Sequence, residues 1–222
     1  MAHNGVLFLD ELPEYRRNAL EMLRQPMEER VVTLSRVRGS VCFPSRFILI
    51  AAMNPCPCGF HGDGSDRCLC DPPTVARYRG RVSGPLLDRI DLHVEVSPLP
   101  IELLAGAAEP ESSAVVADRV GRARRLQAKR FRREKAQFAN AHLISAQLRR
   151  WCKTTGPVSH LLSDAADRLG LSAPAYDRVL RVSKTIADLD GVPEVREEDV
   201  SEALQYRDVR RGRGQPFPIP VR

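Results

Sequence analysis

The sequence predicts an α/β unit followed by an all-α-helical domain. Three observations carry that expectation. Two continuous apolar runs, Val6–Asp10 (VLFLD) and Phe47–Asn54 (FILIAAMN), each end in a polar residue and are separated by Gly/Pro-containing connections. A stretch at 97–113 rich in Pro, Ala, Glu and Ser reads as a linker. Beyond it, helical periodicity persists almost to the end of the chain. Continuous rather than alternating hydrophobicity suits strands of a mostly parallel sheet covered on both faces.

Taken in order, Val6–Asp10 is the first expected strand, and a helical pattern follows from about Arg16 to Glu29. Val31–Ser35 and Ser40–Pro44, joined by Arg36-Val37-Arg38-Gly39, read as a β-hairpin. Phe47–Asn54 is the second buried strand, and Leu92–Val96 (LHVEV) is a third, shorter candidate. Helices are expected at about 114–138, 143–151, 157–169, 172–188 and 197–207, with Asp190-Gly191-Val192-Pro193 as a stop between the last two. The tail from 209 to 222 is expected to be flexible.

With 222 residues, the chain is long enough to bury a core. At 28% charged and 43% hydrophobic it has ordinary soluble composition, and no apolar run approaches the roughly 20 residues that span a bilayer. No signal-like N-terminus is present, so a cytoplasmic location without membrane partners is expected. The formal charge of +6 is unevenly placed. Residues 1–100 hold 12 Lys/Arg and 12 Asp/Glu, whereas Asp118–Lys135 alone holds nine basic and two acidic residues. The charge belongs to one stretch and needs a local explanation, its bland reading being a solvated helix face.

The candidate chemistry lies at strand ends. Asp10 and Glu11 follow the first apolar run, at the edge where open parallel sheets bind ligands. An aspartate there can hold Mg²⁺, and the next glutamate can polarise an attacking water; the bland reading is a pair of acids that end a strand. Asn54 ends the second run, so a neighbouring parallel strand brings its amide to the same edge, unless Asn54-Pro55 merely starts a turn. Arg89, in Ser83–Val96 (SGPLLDRIDLHVEV), is either a guanidinium offered to a phosphate on a neighbouring subunit or a local ion-pair partner of Asp88 or Asp91.

In this order the residues resemble a known family. GVLFLDE is similar to a Walker B segment, MNP to a sensor-1 strand end, and PLLDRIDL to the arginine-finger segment of AAA+ proteins of the Mg-chelatase and MCM-helicase branch. AHNGVLFLDELPE, LRQPMEE, AAMNPCPCG, YRGRVSGPLLDRIDLHVEV and YDRVLRVSKTIADLDG resemble the Mg-chelatase-like AAA+ ATPases of the ComM/YifB competence-helicase family, over about residues 2–208. The resemblance implies a partial AAA+ P-loop core over 1–97, a parallel sheet with helices that lacks its N-terminal strands. A linker (98–113) and an all-α lid domain (114–208) then follow. It implies ATP and Mg²⁺ as cofactors and a ring, expected to be hexameric, acting on branched or single-stranded DNA in recombination and natural transformation. Asp10 is then the Mg²⁺-associated acid, Glu11 the general base, Asn54 the sensor and Arg89 the finger acting in trans. The 31–44 hairpin becomes a pore hairpin, with Arg36 and Arg38 at its tip as candidates for DNA-backbone contact.

Two departures stand out. No G-x-x-x-x-G-K-[ST] phosphate loop occurs, so a truncated or split reading frame, or an expressed fragment, is expected, binding ATP poorly and hydrolysing none alone. The lid helix begins Ser172-Ala173-Pro174, where the family commonly has Ser-x-Arg. Pro174 is comfortable in a first helical turn but contacts no phosphate, which leaves Arg178 or Arg181 as candidate replacements.

Of six cysteines, Cys42 and Cys152 are expected to be isolated buried thiols. Cys56, Cys58, Cys68 and Cys70 form C-P-C-x9-C-L-C, with His61 as an alternate ligand. Two close pairs across a Gly/Asp/Ser loop can make a tetrahedral thiolate site for structural Zn²⁺, or remain four reduced thiols. The functional readings are thus a DNA-associated motor segment, a chelatase-type ATPase subunit, and a non-catalytic remnant.

Overall fold

The computed structural model describes residues 2–36, 39–96, 111–134, 138–154 and 156–208. They fall into two compact units that divide between Ile90 and Asp91. The first unit is mixed α/β. Strand β1 (Gly5–Leu9) leads through a 3-10 turn (Leu12–Glu14) to α1 (Arg17–Met22) and α2 (Arg24–Glu29). Next come β2 (Val31–Arg36), β3 (Gly39–Pro44) and β4 (Phe47–Ala51), then α3 (Pro72–Arg79) and α4 (Gly84–Arg89).

β1 and β4 pair in parallel, Gly5 with Phe47 through Leu9 with Ala51. One face of this two-stranded sheet is covered: buried Leu9 and half-buried Leu7, Leu49 and Ala51 pack with Leu12, Leu20, Met27, Val82 and Leu86. The other face carries Val6, Phe8, Ile48 and Ile50, 48–64% exposed. Among the described residues the expectation of cover on both faces therefore holds for one face only, because the described elements of the unit pack on the side of Leu7 and Leu9. β2 and β3 form the expected antiparallel hairpin, Val31 opposite Pro44 through Arg36 opposite Gly39.

Two elements differ from expectation. The helix over 16–29 is broken at Leu23: Pro26 in the first turn of α2 has no N–H for a continuous ladder. Leu92–Val96 forms no strand. It belongs to the second unit, where the His93 N–H donates to the Tyr206 carbonyl at 2.9 Å, and Val94 and Val96 are exposed.

Among the described residues the second unit is helical: α5 (Ser113–Arg130), a 3-10 turn (Asn140–His142), α6 (Ser145–Trp151), α7 (Pro157–Leu169), α8 (Ala173–Leu189) and α9 (Glu197–Asp208). Local signals place the ends. Ser112 and Ser172 accept from the N–H of Val115 and Ala175, while Gly170 ends α7 at φ +51°. α5 stops eight residues earlier than the periodicity predicted. Phe131 turns inward to 2% exposure and meets the Trp151 ring edge-on, centroids 6.1 Å apart. Leu143, Leu148, Leu162, Val179, Val200 and Leu204 fill the core. The expected flexible tail, 209–222, and most of the expected linker lie outside the described residues.

A buried ionic cluster fastens α5 to α8. Asp188 and Lys184 are each 1% exposed. Asp188 accepts from Arg130 of α5 (Oδ2 2.7 Å, with a second contact to Oδ1), from Asn140 Nδ2 (2.8 Å) and from Lys184 Nζ (2.9 Å). Lys184 also donates to the Pro193 carbonyl at 3.0 Å. Burial opposes the Asp188 carboxylate, but the Arg130, Lys184 and Asn140 hydrogen bonds outweigh it and hold its pKa below the usual aspartate value.

Removing one partner from such a cluster strands the others. Asp188→Ala is expected to cost about 3–5 kcal/mol in denaturant unfolding, because Arg130 and Lys184 lose their counter-charge. With the folded pKa depressed, Asp188 contributes fully above about pH 4 and loses its contribution as pH falls through the folded value. The stability gap between wild type and Asp188→Asn, measured by denaturant titration, is therefore expected to narrow below about pH 4.

Candidate functional site

Because β1 and β4 run the same way and in register, their C-terminal ends share one edge. The pairing continues past the strands: Ala52 N–H donates to the Leu9 carbonyl and Leu12 N–H to the Ala52 carbonyl, both at 2.9 Å. Asp10, Glu11 and Asn54 are thereby brought to this edge, and all three are exposed. Asp10 Oδ1 accepts from the Glu11 N–H at 2.9 Å. Glu11 itself is left-handed, at φ 50° and ψ 48°, a conformation non-glycine residues adopt at an energetic cost. The buried Leu12 and Pro13 of the following turn anchor it there.

Tyr78 of α3 closes the edge, a residue the sequence reading did not single out. Its ring is buried, and the Asn54 backbone N–H faces its phenol oxygen. Burial and the nearby charges of Glu14 and Glu11 raise its pKa. Arg79 donates to the Pro55 carbonyl at 3.0 Å, and Arg81 reaches Glu14 at 2.8 Å. The signal was available in Asp71-Pro72-Pro73: Asp71 caps α3 by accepting from the Thr74 N–H at 3.1 Å, and Pro suits the first turn.

Arg89 ends α4. It is 17% exposed at the side chain, pairs with Glu28 of α2 at 2.7 Å and donates to the Pro85 carbonyl. Glu28 is a partner the sequence reading did not name. Arg36 is exposed at the end of β2, paired with Gly39; Arg38 lies outside the described residues. Arg178, 11% exposed, pairs with Asp91 at 3.4 Å within the second unit. Arg181 donates from Nε to the Leu143 carbonyl at 2.8 Å, and burial lowers its pKa despite Asp177 and Asp91. Much of the basic α5 face is engaged locally: Arg119 makes two bonds to Glu111, Arg122 meets Asp118, and Arg130 binds Asp188.

The four cysteines of the 56–70 loop converge. Their sulfur atoms all lie within 4.8 Å of one another, with Cys56–Cys58 at 3.3 Å, Cys58–Cys68 at 3.7 Å and Cys56–Cys68 at 3.9 Å. His61 Nδ1 stands 3.9 Å from the Cys68 sulfur. Cys56 is fully buried, which opposes its thiolate; hydrogen bonds from Cys58, from the backbone N–H of His61 and Cys58, and from Cys68 prevail and lower its pKa to about 6. The Cys58 N–H favours a Cys70 thiolate, yet the Cys58 thiol, burial and the Cys56 charge push Cys70 up to about 11. This cluster can hold a metal ion. Cys152 is buried as expected, and burial raises its pKa to about 11; Cys42 is exposed, because both faces of β3 are.

The sequence model of the family "Magnesium chelatase, subunit ChlI" matches residues 1–104, and that of its C-terminal region matches residues 110–207. The chain belongs to the magnesium-chelatase-like family that includes ComM and YifB. It is 43% identical over 212 residues to the competence protein ComM of Haemophilus influenzae, covering 95% of this chain and 40% of that protein. It is 42% identical over 212 residues to the uncharacterized protein YifB of Escherichia coli, with the same coverage. An uncharacterized protein of Mycobacterium tuberculosis is 42% identical over 206 residues, 93% of this chain and 40% of that one. The chain thus spans about two-fifths of the length of these curated relatives. No helix among the described residues is long and apolar enough to cross a membrane.

The left-handed Glu11 generates a measurable expectation. Only glycine adopts this conformation freely, so Glu11→Gly is expected to be more stable than Glu11→Ala by about 1 kcal/mol in thermal or denaturant unfolding. Equal stability of the two variants is the contrary result.

Proposed function

We propose that this chain supplies the later part of an ATP-dependent motor that acts on DNA: two strands of an AAA+ core followed by its helical lid. The observation that carries the reading is the in-register parallel pairing of β1 with β4, which gathers Asp10, Glu11 and Asn54 at one exposed edge. The bare face of Val6, Phe8, Ile48 and Ile50 fits a core of which this chain provides only part. Two adjacent exposed carboxylates offer hard oxygen donors suited to Mg²⁺. ATP and Mg²⁺, when bound, supply the transferable phosphoryl group and the charge that stabilises it.

In this reading Asp10 would hold the Mg²⁺, Glu11 would take the proton of a water that attacks, and Asn54 would orient that water or the terminal phosphate. Arg89, at the end of α4, is the finger directed at a neighbouring subunit of a ring, hexameric by the family resemblance; reaching a phosphate requires it to leave Glu28. Arg178 is the candidate nucleotide contact in the lid and must likewise exchange Asp91 for phosphate. The hairpin tip, Arg36 and Arg38, meets the DNA backbone, and the exposed face of α5 offers a second basic surface. The Haemophilus influenzae relative is named a competence protein, which is in keeping with a part in transformation; branched or single-stranded DNA and recombination rest on the family resemblance.

The DNA assignment is tested by fluorescence anisotropy of this chain on branched and single-stranded DNA over a salt series. Replacing Arg36 and Arg38 by Ala together is expected to weaken binding for every sequence and to flatten the log–log salt dependence by about one unit per lost phosphate contact. Binding and slope unchanged by the double substitution contradict the hairpin's role.

A further inference from the structure

We propose that Cys56, Cys58, Cys68 and Cys70 form a closed structural Zn²⁺ site that clamps the chain between β4 and α3 and so sets the position of Asn54. The argument starts from distance. Four sulfurs at about 2.3 Å from a tetrahedral ion stand about 3.8 Å from one another. The spacings of 3.3, 3.7 and 3.9 Å, with all four within 4.8 Å, bracket that value. Thiolates on separate irons of an iron–sulfur cluster need a wider cage than this. Soft sulfur donors in tetrahedral array select zinc over the hard cations that oxygen ligands favour.

The backbone is already arranged for sulfur charge. The N–H groups of Cys58 and His61 point to the Cys56 sulfur, that of Cys70 to Cys68, and that of Cys58 also to Cys70. Such amides orient metal-bound thiolates and spread their charge. Gly59 permits the first turn: its φ is +85°, and its N–H donates to the Cys56 carbonyl at 3.1 Å. As each Zn–S bond forms, any proton still on that sulfur passes to solvent. Four protein ligands leave no open coordination position, so the site is structural rather than hydrolytic.

The clamp follows from what flanks the loop. Asn54 lies two residues before Cys56, and Asp71, which caps α3, follows Cys70 directly. α3 returns to the strand end through Tyr78 at the Asn54 N–H and Arg79 at the Pro55 carbonyl. Closing the loop with a metal therefore fixes both ends of the segment that presents Asn54. The zinc assignment stands independently of the motor reading.

The test is metal analysis of the full chain purified in reductant without chelator. About one zinc per chain is expected; zinc well below that, both as purified and after incubation with zinc chloride and gel filtration, overturns the site. Cobalt added to the metal-stripped protein is expected to give the intense visible absorption of a tetrahedral tetrathiolate centre, and a weak octahedral spectrum overturns it. Cys58→Ser and Cys70→Ser should lose zinc, while Cys152→Ser and His61→Ala keep it with an unaltered cobalt spectrum. Loss of metal in His61→Ala contradicts the four-cysteine set. Metal removal is expected to speed hydrogen exchange at the Asn54 and Gly59 amides and leave α7 and α8 unchanged; unaltered exchange at Asn54 overturns the clamp.

Discussion

Parallel pairing between β1 and β4 governs the first unit, because parallel neighbours cannot be joined by a tight turn and need a long crossover. The chain leaving Leu9 runs through a 3-10 turn, two short helices and a complete hairpin before it re-enters the sheet at Phe47. Three consequences follow. Apolar residues of the crossover, Leu12, Leu20 and Met27, bury the face of Leu7 and Leu49. The hairpin is held out as an exposed arm. Both strand ends arrive at one edge, where the backbone bonds between Leu9, Leu12 and Ala52 hold them together.

Charge is handled in opposite ways in the two units. At the strand edge, Asp10 and Glu11 are exposed, and Glu11 carries backbone strain that buried Leu12 and Pro13 sustain. In the helical unit, Asp188, Lys184 and Arg130 are taken out of water and satisfied by one another, Asn140 and a carbonyl. Those bonds tie α5 to α8. Arg89 and Arg178 lie between these extremes, largely shielded but paired to single exposed acids, Glu28 and Asp91.

Much of this was legible in the sequence, for physical reasons that also explain the rest. The helices of the second unit carry strong apolar spacing and end signals such as Ser172, Gly170 and the Asp190-Gly191 stop, so their ends fall close to expectation. α5 was overextended because periodicity cannot register Phe131 swinging into the core. Leu92–Val96 looked like a strand because its apolar residues suit one, yet strand formation needs a partner and the segment bonds to Tyr206 instead. That Asp10, Glu11 and Asn54 share one edge was readable from the strand ends alone. Tyr78 and Glu28 were not, since their relevance comes from contacts distant in sequence. The cysteine spacing suggested a metal loop; only the fold shows the four sulfurs converged.

The central claim is that Glu11 and Asn54 serve one hydrolytic step at one edge. A double-mutant cycle measures it: single-turnover ATP hydrolysis by a polypeptide that joins this segment to a phosphate loop, with Glu11→Gln, Asn54→Ala and both. Residues acting as a unit lose little more together than the worse loses alone. The account predicts that outcome, and two losses that simply multiply contradict it.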